Sequence, residues 1–263
     1  MIKVGFIGVG NMAKAIIKML KKSDDFLISG FDIDKNFNNV SRELKIKKYK
    51  SNVELVRNNE VIFLSVKPQM VNDVLSEIRE DLKDQMIISI AAGISIKKIQ
   101  TILSKKVPVV RVMPNTPVMA GEGACGYAFS KEVTSYMRKT AEKIIKSFCE
   151  ISFLVKEEDV DVITSLSGSG PAYFFYVAEA MLDAAKELGF NEKKAEKLIA
   201  QTMAGSGKLL LNQNEKPLIL RRKVTSKGGT TEEAITVFEK NKLKKIIKDA
   251  VFSAYRKAKE LGK

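Results

Sequence analysis

Histidine and tryptophan are missing from this sequence, and only two of its 263 residues are cysteines. Without an imidazole the chain cannot form a Ser-His-Asp triad, a Cys-His pair or a histidine-ligated zinc site. Cys125 and Cys149 are not spaced as a local disulfide framework, which favours a reducing, intracellular setting. We therefore expect no metal site and no chemistry that depends on histidine.

Long apolar runs are also missing. The longest uncharged apolar stretch, residues 86–96, is much shorter than the ~20 residues that span a bilayer. The chain starts on an apolar run at Ile2, without the basic segment, apolar core and cleavage site of a secretion signal. We expect a soluble, cytoplasmic protein with no membrane partner.

Basic residues are in excess, with 45 Lys and Arg against 31 Asp and Glu and a formal net charge of +14. The excess is spread over the whole chain, and there is no basic tail and no alternation of basic and aromatic residues. This pattern is typical of a solvated surface, so we expect no nucleic-acid partner. A positive field can still steer an anionic small substrate.

The first part of the chain alternates apolar runs with helical periodicity. Strands are predicted at residues 3–7, 27–32, 61–66, 86–91 and 109–113, with helices at 12–21, 71–82 and 96–103 between them. A further strand, helix and strand are predicted at residues 124–129, 134–148 and 151–155. Such alternation predicts an α/β fold, a doubly wound parallel sheet of the Rossmann type with helices on both faces.

The second part of the chain reads as helical throughout. Helices are predicted at residues 160–166, 172–188, 193–211, 231–240 and 243–261, with Gly189 as a stop signal. We therefore predict a dinucleotide-binding domain at 1–158 and an all-helical domain at 159–263. The run that begins at Ala172 is apolar on all sides, which predicts burial against a partner subunit in a homodimer or against the first domain.

A glycine-rich turn follows the first strand. Residues 8–13 read GVGNMA, the pattern Gly-x-Gly-x-x-Ala between a strand and a helix. Gly8 permits the tight turn, Gly10 lets the backbone approach a pyrophosphate, and the amides at the helix N-terminus favour phosphate. The sequence therefore predicts a dinucleotide site that includes Gly8, Gly10, Asn11 and Met12.

An acidic residue, Asp32, ends the second predicted strand. A carboxylate there can accept hydrogen bonds from the ribose 2′-hydroxyl and repels a 2′-phosphate, which favours NADH over NADPH. Lys35 partly offsets that repulsion, and a helix cap is the alternative interpretation of Asp32. The later strand ends also meet at the edge where the cofactor of such sheets binds. They add Ser65, Val66, Lys67, Pro68, Ala92, Gly93 and Asn115 to the predicted cofactor site.

Two turns of the second part carry hydroxyls and glycines. Residues 166–172 read LSGSGPA, where Ser169 either caps a helix or shapes a pocket floor. Residues 224–233 read VTSKGGTTEE, in which Thr230 and Glu233 have the spacing of a capping box that starts a helix. Free amides at such a turn can hold a carboxylate. The predicted substrate-binding residues are Ser226, Gly228, Gly229, Thr230 and Thr231.

These motifs together resemble pyrroline-5-carboxylate reductase, and the resemblance covers essentially the whole chain. It rests on GFIGVGNM at 5–12, VKPQ at 66–69, RVMPNTP at 111–117, LSGSGPAY at 166–173 and VTSKGGTT at 224–231. The resemblance implies reduction of 1-pyrroline-5-carboxylate to L-proline by NADH or NADPH. It also implies a helical domain interlocked in a homodimer, sometimes in multiples of dimers, with the active site at the dimer interface.

The resemblance also implies roles for individual residues. Asn52 and Asp32 would lie near the adenosine ribose, whereas Lys67, Pro68, Ala92 and Asn115 would lie along the nicotinamide. Ser226, Gly228, Gly229 and Thr231 would hold the carboxylate and ring nitrogen of the substrate, with Thr231 as the catalytic residue. The chain departs from the family at Lys227, where many members have proline. NADPH-preferring members tend to have a small hydroxyl residue at the position of Asp32.

Three alternatives remain open at this stage. A reductase of a six-membered cyclic imino acid would leave few different traces in the sequence. A hydroxyacid dehydrogenase needs an acid-base group, typically a Lys on the long helix of the second domain, where only Lys186 is present. A non-catalytic protein that binds a nucleotide or a nucleic acid is the third.

Overall fold

The computed structural model describes residues 1–213 and 215–262, and the first part of the chain forms one eight-stranded sheet. The strands in spatial order are β3-β2-β1-β4-β5-β6-β7-β8. Every neighbouring pair is parallel except β6 and β7. Their bounds are β1 Ile2–Ile7, β2 Phe26–Phe31, β3 Lys47–Lys48, β4 Val61–Leu64, β5 Met86–Ser89, β6 Val109–Met113, β7 Ala124–Phe129 and β8 Ile151–Leu154.

Helices connect these strands and cover the sheet. They are α1 Asn11–Leu20, α2 Phe37–Leu44, α3 Asn52–Asn58, α4 Val71–Ile78, α5 Ile96–Leu103, α6 Ser135–Lys146 and the short α7 Val160–Ile163. Single turns of 3-10 helix lie at Pro68–Met70, Thr116–Ala120 and Glu157–Asp159, and a π-helical turn lies at Thr164–Gly168. The α/β fold with a doubly wound, largely parallel sheet is thus confirmed.

Alternation along the central strands builds two separate cores. In β4, Val61 and Phe63 belong to one apolar cluster, whereas Ile62 and Leu64 belong to the other. Successive side chains of a strand point to opposite faces, so both faces of the sheet are packed against helices. Phe6 of β1 stacks on Phe63 with ring centroids 4.4 Å apart, in register with the strand pairing.

The two cysteines lie in one of these cores. Cys125 and Cys149 are free thiols and both are buried. A hydrogen bond with Cys125 and burial together raise the pKa of the Cys149 thiol far above its ordinary value. The Cys149 thiol is therefore protonated, and both buried side chains act as small apolar groups in the packing.

In the part of the chain that the structure describes, five further helices follow the sheet. They are α8 Gly170–Glu187, α9 Glu192–Asn212, α10 Pro217–Lys223, α11 Thr230–Lys240 and α12 Leu243–Leu261. The contacts divide the chain into one compact unit of Met1–Pro171 with the residues from Ser253 onward, and a second of Ala172–Phe252. Within the described ranges, no helix is both long and apolar enough to cross a bilayer. The domain boundary at 158/159 stays a prediction.

Three features differ from the sequence-based expectation. Strand β7 is antiparallel to β6, because the 3-10 turn that connects them is too short for a crossover helix. Residues 37–58 form two short helices and a two-residue strand that their polar composition did not indicate. The seven-residue helix α10 was likewise not predicted, although Pro217 marks its first turn.

Candidate functional site

A cleft of about 400 Å³ lies at the carboxyl ends of β1, β2 and β4. Of the predicted cofactor residues, it is lined by Gly8, Gly10, Asp32, Asn52, Ser65, Val66 and Lys67. Its other lining residues are Ile7, Phe31, Ile33, Gln69, Met70 and Val74. These six residues were not among the predicted cofactor-binding residues. All except Val74 lie within two residues of a predicted one in the sequence, and Val74 lies on α4, which follows the 3-10 turn at Pro68–Met70.

The glycine turn is fixed from two sides. Gly8 has a φ of +84°, and a Cβ there would lie 2.8 Å from Val66 and 3.0 Å from the carbonyl oxygen of Ser65. The Ser65 hydroxyl donates to the carbonyls of Ile7 at 3.0 Å and Gly8 at 2.7 Å. Gly8 is therefore required by the fold itself, since any side chain would meet backbone as well as a strained φ.

The second glycine has no such packing role. A Cβ added to Gly10 would meet no atom of the described residues within 4 Å, although Gly10 lines the cleft and is the N-cap of α1. None of the described side chains caps this helix terminus. The arrangement leaves a positively polarised helix end beside open space, which suits an anionic group such as a pyrophosphate.

Asp32 is anchored to this turn by its carboxylate. Its Oδ2 accepts the amide N–H of Val9 at 2.6 Å, and its Oδ1 accepts that of Asp34 at 2.8 Å. Helix α2 has Asn36 as its N-cap, so the interpretation of Asp32 as a helix cap is wrong. A carboxylate has about four acceptor sites, so Asp32 can still accept from a ligand hydroxyl in the cleft.

Basic side chains lie around a second cleft that Asp32 also lines. An adjoining cleft of about 290 Å³ is lined by Asp32 and Asp34 together with Lys35, Lys48 and Lys50. Lys35 was expected to offset the charge of Asp32. Lys48 and Lys50 come from the unpredicted segment around β3, so sequence reasoning missed them.

Asn52 is the first residue of α3 and is buried, at 4% exposure. Its Nδ2 donates to Glu77 Oε2 of α4 at 2.7 Å. Its Oδ1 is buried and has no hydrogen-bond partner among the residues that the structure describes. An unsatisfied buried acceptor costs about 1–3 kcal/mol, which a ligand donor would recover. The site therefore fits a ribose hydroxyl at Asn52.

The remaining predicted cofactor residues lie outside the lining of this cleft. Asn11 and Met12 start α1, and Pro68 starts the 3-10 turn that carries Gln69. Ala92 follows β5. Gly93 has a φ of +78°, and a Cβ there would lie 2.6 Å from the carbonyl oxygen of Ala258, so the end of α12 packs on this loop.

Asn115 links β6 to the π-helical turn. Its Oδ1 accepts from the amide of Ala124 at 2.9 Å, and its Nδ2 donates to Ser167 Oγ at 3.1 Å. The amide of Ser169 donates to the carbonyl of Thr164 at 2.8 Å, which closes the π turn before α8 begins at Gly170. π-Helical turns are frequent at functional sites. The SGSG segment and the end of β6 thus form one hydrogen-bonded element.

A buried ion pair holds the approach to this element. Arg111 of β6, with only 5% of its side chain exposed, pairs with Asp161 of α7 and with Glu157 at 3.8 Å. Glu157 Oε1 also accepts the amide of Ile96 at 2.6 Å, at the start of α5. The Arg111 guanidinium, which can satisfy several acceptors at once, therefore joins β6 to α7 and to the 3-10 turn that contains Glu157. Through Glu157 the same pairing reaches the start of α5.

The predicted substrate turn lies in the second unit. Gly228 has a φ of +72°, and a Cβ on Gly229 would collide with Ser226. Helix α11 begins at Thr230, one residue before the predicted start at Thr231, and its N-cap is Gly229. The predicted capping box of Thr230 and Glu233 is wrong, because the neighbouring Glu232 Oε2 accepts the Gly228 amide at 2.6 Å instead. This amide is thus positioned to bind a carboxylate.

The hydroxyacid dehydrogenase alternative finds little support in the geometry. Lys186 lies in the last turn of α8 and pairs with Glu192 at 2.9 Å. The hydrogen bond with Glu192 raises the pKa of Lys186, which keeps this amine charged and a poor proton acceptor. In residues 1–213 and 215–262 no three His, Cys, Asp or Glu side chains are grouped to hold a metal ion.

Two family models match the chain. The model described as pyrroline-5-carboxylate reductase dimerisation matches residues 157–261. The model described as NADP oxidoreductase, coenzyme F420-dependent, matches residues 3–93. Together they cover the cleft-forming turn and the helical part, including the turn at 226–231.

Individual relatives are similar over nearly the whole chain. Pyrroline-5-carboxylate reductase of Pseudomonas aeruginosa is 35% identical, covering 99% of this chain and 97% of the relative. The enzyme of Methanosarcina acetivorans is 36% identical over 99% and 98%. The crystal structure of Plasmodium falciparum pyrroline carboxylate reductase with NADP bound has a TM-score of 0.92 at 30% identity, covering 100% of this chain and 98% of that one.

Proposed function

The chain belongs to the pyrroline-5-carboxylate reductase family, and on this premise we propose how its own residues carry out the family reaction. It is an oxidoreductase that reduces 1-pyrroline-5-carboxylate to L-proline, the last step of proline biosynthesis, with a nicotinamide cofactor. The observation that carries the assignment of the cofactor site is the cleft at the glycine turn, where Gly10 and the α1 N-terminus adjoin open space.

A nicotinamide cofactor bound at this cleft would supply a hydride to the imine carbon of the substrate, which is electrophilic once the ring nitrogen is protonated. The protein's task is then to orient the reactants and position charge, and no histidine is needed. We assign the pyrophosphate to Gly8, Gly10, Asn11 and Met12, and the adenosine ribose to Asp32 and Asn52. The strand-end residues Ser65, Val66, Lys67, Pro68, Ala92, Gly93 and Asn115 are assigned to the nicotinamide side.

The substrate is assigned to the turn in front of α11. Its carboxylate would replace that of Glu232 at the Gly228 amide, which donates to Glu232 Oε2 in the absence of substrate. Ser226, Gly229 and Thr230 complete the carboxylate site, and the Thr231 hydroxyl accepts a hydrogen bond from the protonated ring nitrogen. Glu232 leaves this amide when substrate binds, so the turn exchanges one carboxylate for another.

The direct test is a steady-state assay with purified protein. We expect NADH to be oxidised when 1-pyrroline-5-carboxylate is added, and much more slowly with the six-membered cyclic imino acid. A higher kcat/KM for the six-membered ring would assign the protein to the related imine reduction. If neither NADH nor NADPH is oxidised in the presence of either cyclic imino acid, the proposal is rejected.

Replacement of Thr231 by alanine tests the catalytic assignment. We expect kcat/KM for 1-pyrroline-5-carboxylate to fall by about 5- to 150-fold, equivalent to ~1–3 kcal/mol of transition-state binding. Thr231→Ser should retain most activity because the hydroxyl remains. Thr236→Ala is the matched control, since that hydroxyl donates to the Glu232 carbonyl within the same helix. Unchanged kinetics in folded Thr231→Ala would remove Thr231 from the mechanism.

For the cofactor we propose a preference for NADH. Asp32 is held at the cleft by the Val9 amide, so its negative charge cannot move away from a 2′-phosphate without breaking that bond. Repulsion between Asp32 and the phosphate outweighs the attraction of the neighbouring lysines, which are exposed and solvated. A large excess of kcat/KM with NADPH in the unmodified protein would contradict this proposal.

Asp32→Ser should shift the preference toward NADPH. Removing the carboxylate leaves Lys35, Lys48 and Lys50 around the adjoining cleft, where they attract the 2′-phosphate. We expect the NADPH/NADH ratio of kcat/KM to rise by about 10- to 100-fold, and less at high salt. Asp24→Ser, which removes the same charge before β2, should leave the ratio unchanged. An unaltered ratio in Asp32→Ser would exclude Asp32 as the selectivity residue.

Three further assignments complete the proposal. The helical part, which matches a dimerisation family, forms a homodimer, and dimers can associate into higher multiples. The protein acts in the cytoplasm on a small imino acid, without nucleic-acid or membrane partners. We retain residue 159 as the start of the dimerisation and substrate-binding domain, close to the start of the matched family region.

A further inference from the structure

The buried amide of Asn52 has one satisfied end and one unsatisfied end. Glu77 Oε2 accepts from Nδ2 at 2.7 Å, whereas Oδ1 is buried without a hydrogen-bond partner in the described part of the chain. Buried polar atoms without partners are rare in proteins, and each needs an explanation. Here the question is what holds the amide in the orientation that leaves its acceptor unpaired.

The Glu77 carboxylate holds the Asn52 amide in this orientation. An ionised carboxylate only accepts hydrogen bonds, so it can bind the NH₂ group of Asn52 and would repel the amide oxygen. A flipped amide would place two oxygens against each other. Glu77 therefore fixes Oδ1 on the side away from itself.

The position of Glu77 places this control next to the cofactor cleft. Val74, one turn earlier on α4, lines the cleft together with Asn52. Residues three apart lie on the same face of a helix, so Glu77 is a neighbour of the cleft-lining Val74. Glu77 itself is exposed and does not line the cleft.

We propose that Glu77 is a positioning residue for cofactor binding, acting through Asn52. It holds the amide so that Oδ1 accepts a hydrogen bond from a hydroxyl of the adenosine ribose. This inference rests on the proposed cofactor site, and it adds a residue that never touches the cofactor. Its consequence is that the hydrogen-bonding character of Glu77, as an acceptor that cannot donate, controls the affinity for the dinucleotide.

The test compares Glu77→Lys with Glu77→Gln in titrations of NADH fluorescence, which report binding without turnover. A lysine only donates, so it favours the flipped amide and turns the ligand acceptor into a donor. We expect the Kd for NADH to rise about tenfold or more, because the competent orientation becomes a minor population. Glutamine permits both orientations, so Glu77→Gln should weaken binding only about twofold.

The sign of the lysine effect separates this mechanism from simple electrostatics. An added positive charge attracts the anionic cofactor, so a pure charge effect would tighten binding. Glu80→Lys makes the same charge change just beyond the end of α4, where Glu80 pairs with Arg79 on the surface. We expect its Kd for NADH to be unchanged or slightly lower.

A double-mutant comparison with Asn52 distinguishes positioning of the amide from a purely structural role of Glu77. In an Asn52→Ala background, Glu77→Lys should change the Kd for NADH by less than about twofold, because no amide remains to orient. The KM for the imino acid should be unaffected throughout. A Glu77→Lys penalty of the same size in both backgrounds would overturn the inference.

Failure of this inference is distinguishable from failure of the proposed function. If the unmodified protein binds NADH and Asn52→Ala binds it equally well, the positioning role is wrong and the cofactor assignment stands. If the unmodified protein binds neither NADH nor NADPH, the proposed function itself is wrong. Thermal melting of each variant confirms that it is folded.

Discussion

Phe175→Glu is expected to convert the protein from a dimer into a monomer and to abolish most of its activity. Phe175 lies on α8 with 66% of its surface exposed in the single chain, between two further exposed aromatic residues, Phe174 and Tyr176. Such a cluster is typical of an interface. The prediction therefore tests the proposed homodimer at its most apolar helix.

The surroundings of Phe175 explain the expected size of the effect. It lines a groove of about 470 Å³ between α8 and α9 with Leu182, Ile199 and Met203, and with Glu179 and Glu196. Glutamate at this position loses the aromatic contact and adds a third carboxylate. Loss of a buried Phe costs about 3–5 kcal/mol, and a two-fold interface contains the residue twice. We expect the dimer Kd to rise at least about a thousandfold.

Light scattering combined with size-exclusion chromatography measures this change directly. Tyr136→Glu is the matched control, because Tyr136 is 73% exposed on α6 of the first unit. It should remain dimeric and active. A Phe175→Glu protein that is still dimeric, with unchanged kcat/KM, would place the interface elsewhere.

Arg111→Met is expected to give the largest loss of stability among single substitutions of charged residues. Methionine fills a similar volume, but it leaves the carboxylates of Asp161 and Glu157 without their guanidinium partner. Removing one partner of a buried ion pair typically costs about 3–5 kcal/mol. We expect a loss of that size in the free energy of unfolding measured with urea.

Two comparisons isolate the buried pair. Arg79→Met removes an exposed ion pair with Glu80, in which the Arg79 side chain is 45% exposed and that of Glu80 78%. This substitution should lower the free energy of unfolding by no more than about 1 kcal/mol. Adding Asp161→Leu to Arg111→Met should restore part of the stability, because one unpaired carboxylate is also removed. Equal losses for Arg111→Met and Arg79→Met would mean that the buried pair does not stabilise the fold.

Local features of this protein were readable from the sequence because they depend on neighbouring residues. The turn at Gly8 and Gly10 needs only a strand, two glycines and a helix start within a few positions. The apolar runs fixed the central strands β1, β4, β5 and β6 to within two residues at either end. The exposed apolar surface of α8 followed from its all-round apolar composition.

Other features depend on pairings between distant residues, and only the tertiary structure decided them. Asn52 meets Glu77, Arg111 meets Asp161, and β7 runs antiparallel to β6. At the substrate turn, either Glu232 or Glu233 could accept a backbone amide according to the sequence, and the backbone geometry places Glu232 at the Gly228 amide. Sequence patterns specify which side chains can hydrogen-bond, whereas the packed backbone determines which of them come within reach.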